Sequence, residues 1–229
     1  MIAQALTQLD ALADPARAVE AAAYHKAARR YLGLSLPQIE DLVATWRAET
    51  SLDDRISLAA NLWKTDIHEA RIAAAKLLTQ ARLRPDDHAA WALISHWVPM
   101  FDAWAIADHA CKAAEKRIMA DPNRLDLVES WTRSENMWTR RAALVATLPF
   151  AKLNHPKPLE LTGRDRILDW AAVYTQDRDW FIQKAVAWWV RDMSKHDAPR
   201  AAQFLAEHGH LMKTFARKEA GKYLGRDAA

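Results

Sequence analysis

A single cysteine, Cys111, in a chain of 229 residues excludes an internal disulfide and a thiolate-rich metal site, and it points to a reducing compartment. Glycine is scarce, at 5 residues, and β-branched residues do not cluster, which argues against hairpins and a sheet. No run of about 18 apolar residues is present, and Met1 to Asp14 lacks a basic stretch followed by an apolar core. A cytoplasmic protein with no membrane partner is expected. Also missing are a Gly-rich phosphate loop, a Walker-type lysine and a Gly-x-Ser-x-Gly elbow, which disfavours nucleotide hydrolysis and serine esterase chemistry. The 9 histidines show no ligand spacing with cysteine or with a second histidine on one helix turn, and His-Glu-x-x-His is absent. Neither a metal nor a cofactor is expected.

What remains is rich in helix formers. A hydrophobic content of 51% supports a sizeable core, and we read residues 1–229 as one all-α domain. The net charge is only +3, yet a pI near 9.0 admits a polyanionic partner if the cations gather on one surface. The 11 tryptophans exceed what an ordinary core needs and sit mainly beside charged residues. Some are therefore available for an exposed task such as stacking.

Helical signals follow one another with short breaks. Asp14-Pro15 reads as a helix start, Pro37 opens a helix through Trp46, and Ser51 precedes another with acidic first-turn residues. Further helices are expected over His68 to Ala81, Asp86 to Trp97, a segment holding Trp104 and Asp108, Leu125 to Trp131 and Trp138 to Leu148. The last four run over Ile167 to Thr175, Trp180 to Lys195, Pro199 to His208 and Met212 to Leu224. Asn154 to Pro158 is the one linker candidate, short enough to be a loop. Trp138-Thr-Arg-Arg-Ala-Ala143, Phe181-Ile-Gln-Lys-Ala-Val186 and Phe215-Ala-Arg-Lys-Glu-Ala220 echo one another, each with an aromatic just ahead of basic residues. Their spacing brackets HEAT and armadillo helical pairs, which stack into a curved solenoid whose inner helices line a concave surface. A repeated cation would then make a basic groove without a high net charge.

Trp104 and Asp108 lie four residues apart, on one helix face, where a ring packs on a ligand and a carboxylate faces developing positive charge. The same spacing equally suits a core tryptophan beside a solvated acid. Arg140, Arg141, Lys184, Arg191, Arg217 and Lys218 are candidates for phosphate contact, with a solvated or internally paired face as the alternative. Lys184, Trp188 and Arg191 share a face, so Trp188 is read as facing the cleft and Trp189 as structural.

Taken in order, Trp104-x-x-x-Asp108, Met137-Trp-Thr-Arg-Arg-Ala-Ala143 and Trp180-Phe-Ile-Gln-Lys-Ala-Val-Ala-Trp-Trp-Val-Arg191 resemble the AlkD-type DNA alkylation repair glycosylases. Ala23-Tyr24-His-Lys26, Tyr31-Leu-Gly33 and Phe215-Ala-Arg-Lys-Glu-Ala220 extend the likeness over most of the chain. It implies a HEAT-like solenoid that excises cationic N3- or N7-alkylpurines from double-stranded DNA, as a monomer, without a base-flipping pocket and without a lyase step. It makes Asp108 the catalytic carboxylate, Trp104 and Trp188 the cleft aromatics, Arg141 the phosphate-contacting arginine and Tyr24 a further DNA-facing aromatic. Two positions depart from the family pattern: Ala105 replaces a carboxylate, and Ser35 stands where a longer polar side chain would probe the DNA. The rival expectations are a catalytically silent solenoid that binds distorted or branched DNA by shape, and a protein scaffold with no nucleic-acid role.

Overall fold

Side-chain caps set where the helices begin. The Asp14 carboxylate accepts the backbone N–H groups of Ala16 and Arg17 at 3.0 and 3.1 Å, with Pro15 in the first turn. Ser51 accepts from Asp54 at 3.1 Å, Asn136 from Trp138 at 2.9 Å and Asp179 from Phe181 at 2.7 Å. Ser35 does the same for the helix that Pro37 was expected to open. Its backbone N–H donates to the Gln38 side chain at 2.8 Å, completing a capping box.

The computed structural model describes residues 1–225, and among these the chain is helical, with no strand beyond an isolated bridge between Arg30 and Ile67. It divides into two compact units, Met1–Ala120 and Asp121–Ala229. The first holds α1 (Ile2–Ala11), α2 (Pro15–His25), α3 (Leu36–Glu49), α4 (Leu52–Lys64), α5 (His68–Leu77), α6 (His88–Trp97) and α7 (Trp104–Ala120). The second holds α8 (Leu125–Trp131), α9 (Met137–Val145), α10 (Leu148–Ala151), α11 (Pro158–Tyr174), α12 (Trp180–Ser194), α13 (Ala198–His208) and α14 (Thr214–Ala220). None of these helices is long and apolar enough to cross a membrane.

In the first unit α5 is the central element, packed on α3, α4 and α7. Ala70, Ala73, Ala74 and Ala75 are all fully buried, and their small side chains let neighbouring helices approach α5 closely. The indoles of Trp63 and Trp97 stack at 4.3 Å with their planes 5° apart, and Phe101 closes that core. The segment between α2 and α3 is stitched down at several points. Asp14 N–H donates to Leu32 O at 2.8 Å, and His68 N–H donates to Arg30 O at 2.9 Å. Glu69 accepts from the backbone of Leu32 at 2.9 Å and of Gly33 at 2.7 Å. Gly33 sits at φ +80°, where a Cβ would lie 2.3 Å from the Asp14 carbonyl oxygen. Gly33→Ala is therefore expected to cost about 3 kcal/mol, from left-handed backbone strain plus displacement of the start of α2. Thermal denaturation of the variant against wild type checks this.

In the second unit α12 occupies the equivalent place, against α9, α13 and α14. The echoing aromatics Trp138, Phe181 and Phe215 fall at the starts of three helices; Trp138 meets Phe181 at 4.6 Å, and Phe215 meets the neighbouring Trp180 at 5.8 Å. Several boundaries differ from the expected ones. The expected Trp138 to Leu148 helix ends at Val145 as α9, and Pro149 sits in the first turn of the separate single-turn α10. α11 begins at Pro158 rather than near Ile167, because Gly163 does not break it. A Cβ there would lie 2.8 Å from Phe150 and 2.9 Å from Leu125, so this glycine lets α11 approach its neighbours. Asn154 to Lys157 is a loop inside the second unit, and the division of the chain falls at Ala120/Asp121 instead.

Candidate active site

The start of α7 is held by ion pairs before any site residue appears. Asp102 accepts from Arg29, whose side chain is fully buried, and lies 4.0 Å from Arg71. Arg71 pairs with Asp66 at 3.1 Å and donates to Trp63 O at 3.1 Å. This lattice anchors α7 to α5 and to the loop that follows α2.

From that anchored turn Trp104 and Asp108 project together, both half-buried, onto a cavity of about 210 Å³. His25 from α2, His68 and Glu69 from α5, and His109 from α7 line the same cavity. The His25 ring lies 5.2 Å from Trp104 and 4.4 Å from His68, and His68 lies 4.7 Å from Tyr31. Tyr24, exposed on α2, meets Trp104 edge to face at 5.9 Å. The two carboxylates have different employment. Glu69 is buried and bonded to the backbone of Leu32 and Gly33, and Asp108 is half-buried with its residue lining the cavity alongside Trp104.

The three imidazoles are held uncharged at neutral pH. Burial, helped by His25, Arg29 and His109, drives His68 down to about 3. Burial, with the Lys76 ammonium, takes His109 down to about 4 against the pull of Asp108. His25 is lowered by burial too, although Glu69 opposes the shift. The cavity therefore offers an indole face, a carboxylate and neutral nitrogen bases. Among the described residues no group of three or more His, Cys, Asp or Glu side chains is placed to hold a metal ion.

The second unit presents a different surface. Lys184, Trp188 and Arg191 share one face of α12 and, with Trp180, Phe215 and Glu219, line a cavity of about 560 Å³. The Lys184 ammonium is exposed and sits 4.7 Å over the Trp180 ring. Trp188 is half-buried and donates from Nε1 to Asp192 at 3.1 Å. Trp189 is fully buried and donates to Thr147 O at 3.3 Å. Arg191 is engaged with Glu219 and with Asp192. Arg217 and Lys218 are exposed on α14.

Arg140 and Arg141 lie on α9 and are less exposed than Lys184. Arg140 donates to the carbonyls of Ser134 and Glu135, both at 3.0 Å, and to Asp177 at 3.2 Å, tying together the loops ahead of α9 and α12. Arg141 is only 4% exposed, its guanidinium 5.9 Å from the Trp138 ring centre. The first unit thus brings together Tyr24, Trp104 and Asp108, and the second brings together Lys184, Trp188 and Arg191. The histidines went unnoticed in the sequence because they come from three helices and have no mutual spacing. Only the adjacency of His25 to Tyr24 and of His109 to Asp108 could have drawn attention to them.

Helix on helix throughout, this is the architecture of an all-α helical-repeat protein, and the comparisons place it more closely. It superposes on a predicted DNA alkylation repair enzyme from Enterococcus faecalis with a TM-score of 0.77, at 20% identity, over 93% of this chain and 97% of that one. It superposes on AlkD2 from Streptococcus mutans with a TM-score of 0.61, at 19% identity, over 83% and 90% of the two chains. At such identities the likeness is one of fold. A search of the curated proteins finds no match. The family model described as DNA alkylation repair enzyme matches residues 5–224, and the chain belongs to that family.

Proposed function

We propose that the protein is a monofunctional DNA glycosylase that hydrolyses the N-glycosidic bond of cationic N3- or N7-alkylated purines. The observation that carries this is the pairing, on one turn of α7, of the Trp104 indole with the Asp108 carboxylate at a cavity whose imidazoles are uncharged. A carboxylate facing the cavity is suited to a sugar that becomes cationic. An alkylated purine already carries positive charge and leaves readily, so the enzyme's work is to stabilise the oxocarbenium-like deoxyribose and to place a water. Asp108 does the first electrostatically, and Trp104 packs against the sugar-phosphate backbone beside it. In the second unit Lys184, Arg217 and Lys218 offer exposed ammonium and guanidinium groups to phosphates, and Trp188 offers a ring to the backbone. Arg140 ties together the loops ahead of α9 and α12. No cofactor enters, and no lysine nucleophile is needed.

Incubating the purified protein with duplex DNA containing N7-methylguanine, and cleaving the resulting abasic sites with alkali, tests the proposal. Release of the base above the spontaneous rate is expected. Salt-dependent DNA binding without any release would instead leave a silent binder of distorted DNA.

A further inference from the structure

Two side-chain nitrogens of residues that line the α7 cavity have no hydrogen-bond partner although both are buried: His25 Nδ1 and His68 Nδ1. The two rings lie 4.4 Å apart, and both residues line the cavity that Trp104 and Asp108 share. His68 is 4% exposed, wedged between Tyr31 and His25. His25 is half-buried at the end of α2, with its ring against Trp104. A buried nitrogen left without a partner is costly. The half-buried His25 ring lines the same cavity as the Asp108 carboxylate, and that pairing marks a place where a small hydroxylic molecule would be bound.

We propose that His25 accepts the proton of the attacking water in the reaction assigned to Asp108, an inference that rests on the glycosylase reading. The water oxygen forms a bond to C1′ of the deoxyribose. The bond from C1′ to the purine nitrogen breaks, and its electron pair stays on the base, which leaves neutral. One water proton moves to His25, giving an imidazolium that later loses the proton to solvent. This division of labour has a physical motive. A carboxylate that stabilises a sugar cation through its charge loses that effect if it also takes the proton, so a separate acceptor keeps Asp108 anionic throughout.

The surroundings of His25 suit an acceptor. Tyr24 flanks it on α2, and the following loop contributes Arg29 and Tyr31. From α5 come His68 and Glu69, and from α7 Asp108 and His109. Burial keeps the ring neutral to a lower pH than the ordinary 6.5, so its lone pair is available at neutral pH. His68 sits too low, at about 3, and too deep to exchange a proton with solvent.

The test is single-turnover base release from N7-methylguanine duplex between pH 5 and 8, with DNA affinity measured separately. His25→Phe preserves ring packing against Trp104 and His68 and removes the acceptor; His25→Gln preserves polarity and serves if the first variant folds poorly. Each is expected to release base about 100-fold more slowly than wild type, with DNA affinity within about twofold. The wild-type rate should fall as the pH drops below 6.5 through the depressed His25 titration, and that limb should vanish in both variants. Added imidazole should restore part of the rate to His25→Ala. Variants within about threefold of wild type, or a limb that persists in them, overturn the inference while an inactive Asp108→Asn leaves the glycosylase reading standing. A wild type that releases no base overturns both.

Discussion

Asp108→Asn is expected to slow release of N7-methylguanine by at least about 100-fold, the scale on which removal of a preorganised charge at the reacting centre is felt. The substitution keeps size and hydrogen-bonding capacity at a half-buried position in the second turn of α7. Helix and cavity should therefore survive it. Its effect on binding runs the other way. Taking a negative charge off a surface that meets a polyanion should leave DNA affinity equal or slightly higher. Single-turnover kinetics together with an equilibrium binding titration measure both halves. Equal base release by variant and wild type would remove Asp108 from the chemistry, and a matching loss of affinity would show that it supports the surface instead.

The second large effect lies in what holds the cavity open. Glu69 is 2% exposed and gives its two carboxylate oxygens to the backbone N–H groups of Leu32 and Gly33, some 36 residues earlier in the chain. Glu69→Ala removes two charge-assisted bonds and leaves two buried N–H groups with nothing to receive them. A loss of about 3–5 kcal/mol follows, which for a chain of this size lowers the melting temperature by about 10 °C. Because Tyr31 and the ends of α2 and α3 hang on that stretch, base release should fall as well. This loss should be partly recovered by assaying well below the new melting temperature, unlike the loss in Asp108→Asn. Differential scanning calorimetry with rates at two temperatures separates the cases.

Much of this was written locally. Asp14-Pro15 and Ser51 announce helix starts because a cap needs only its own next three residues, and Trp104 with Asp108 share a face because 3.6 residues make a turn. The Ser35-x-x-Gln38 box was equally local, and it explains a position the family resemblance assigns to the DNA: here the serine hydroxyl accepts from Gln38 N–H at 3.5 Å and begins α3. What could not be read is what tertiary packing decides. Gly163 looks like a break and is a point of close approach, and Arg141 looks like a surface cation and is buried against Trp138. The imidazoles of His25, His68 and His109 meet only because α2, α5 and α7 do.

The stacked indoles of Trp63 and Trp97 have a spectroscopic corollary. Two stacked chromophores 4.3 Å apart, sealed inside the first unit, couple their electronic transitions, so their near-ultraviolet signal should change when that core opens. Trp180, about half exposed on the second unit, is in contrast open to quenching by whatever settles on α12. The chain thus carries two natural optical labels, one for the integrity of the unit that holds Asp108 and one for occupancy of the other.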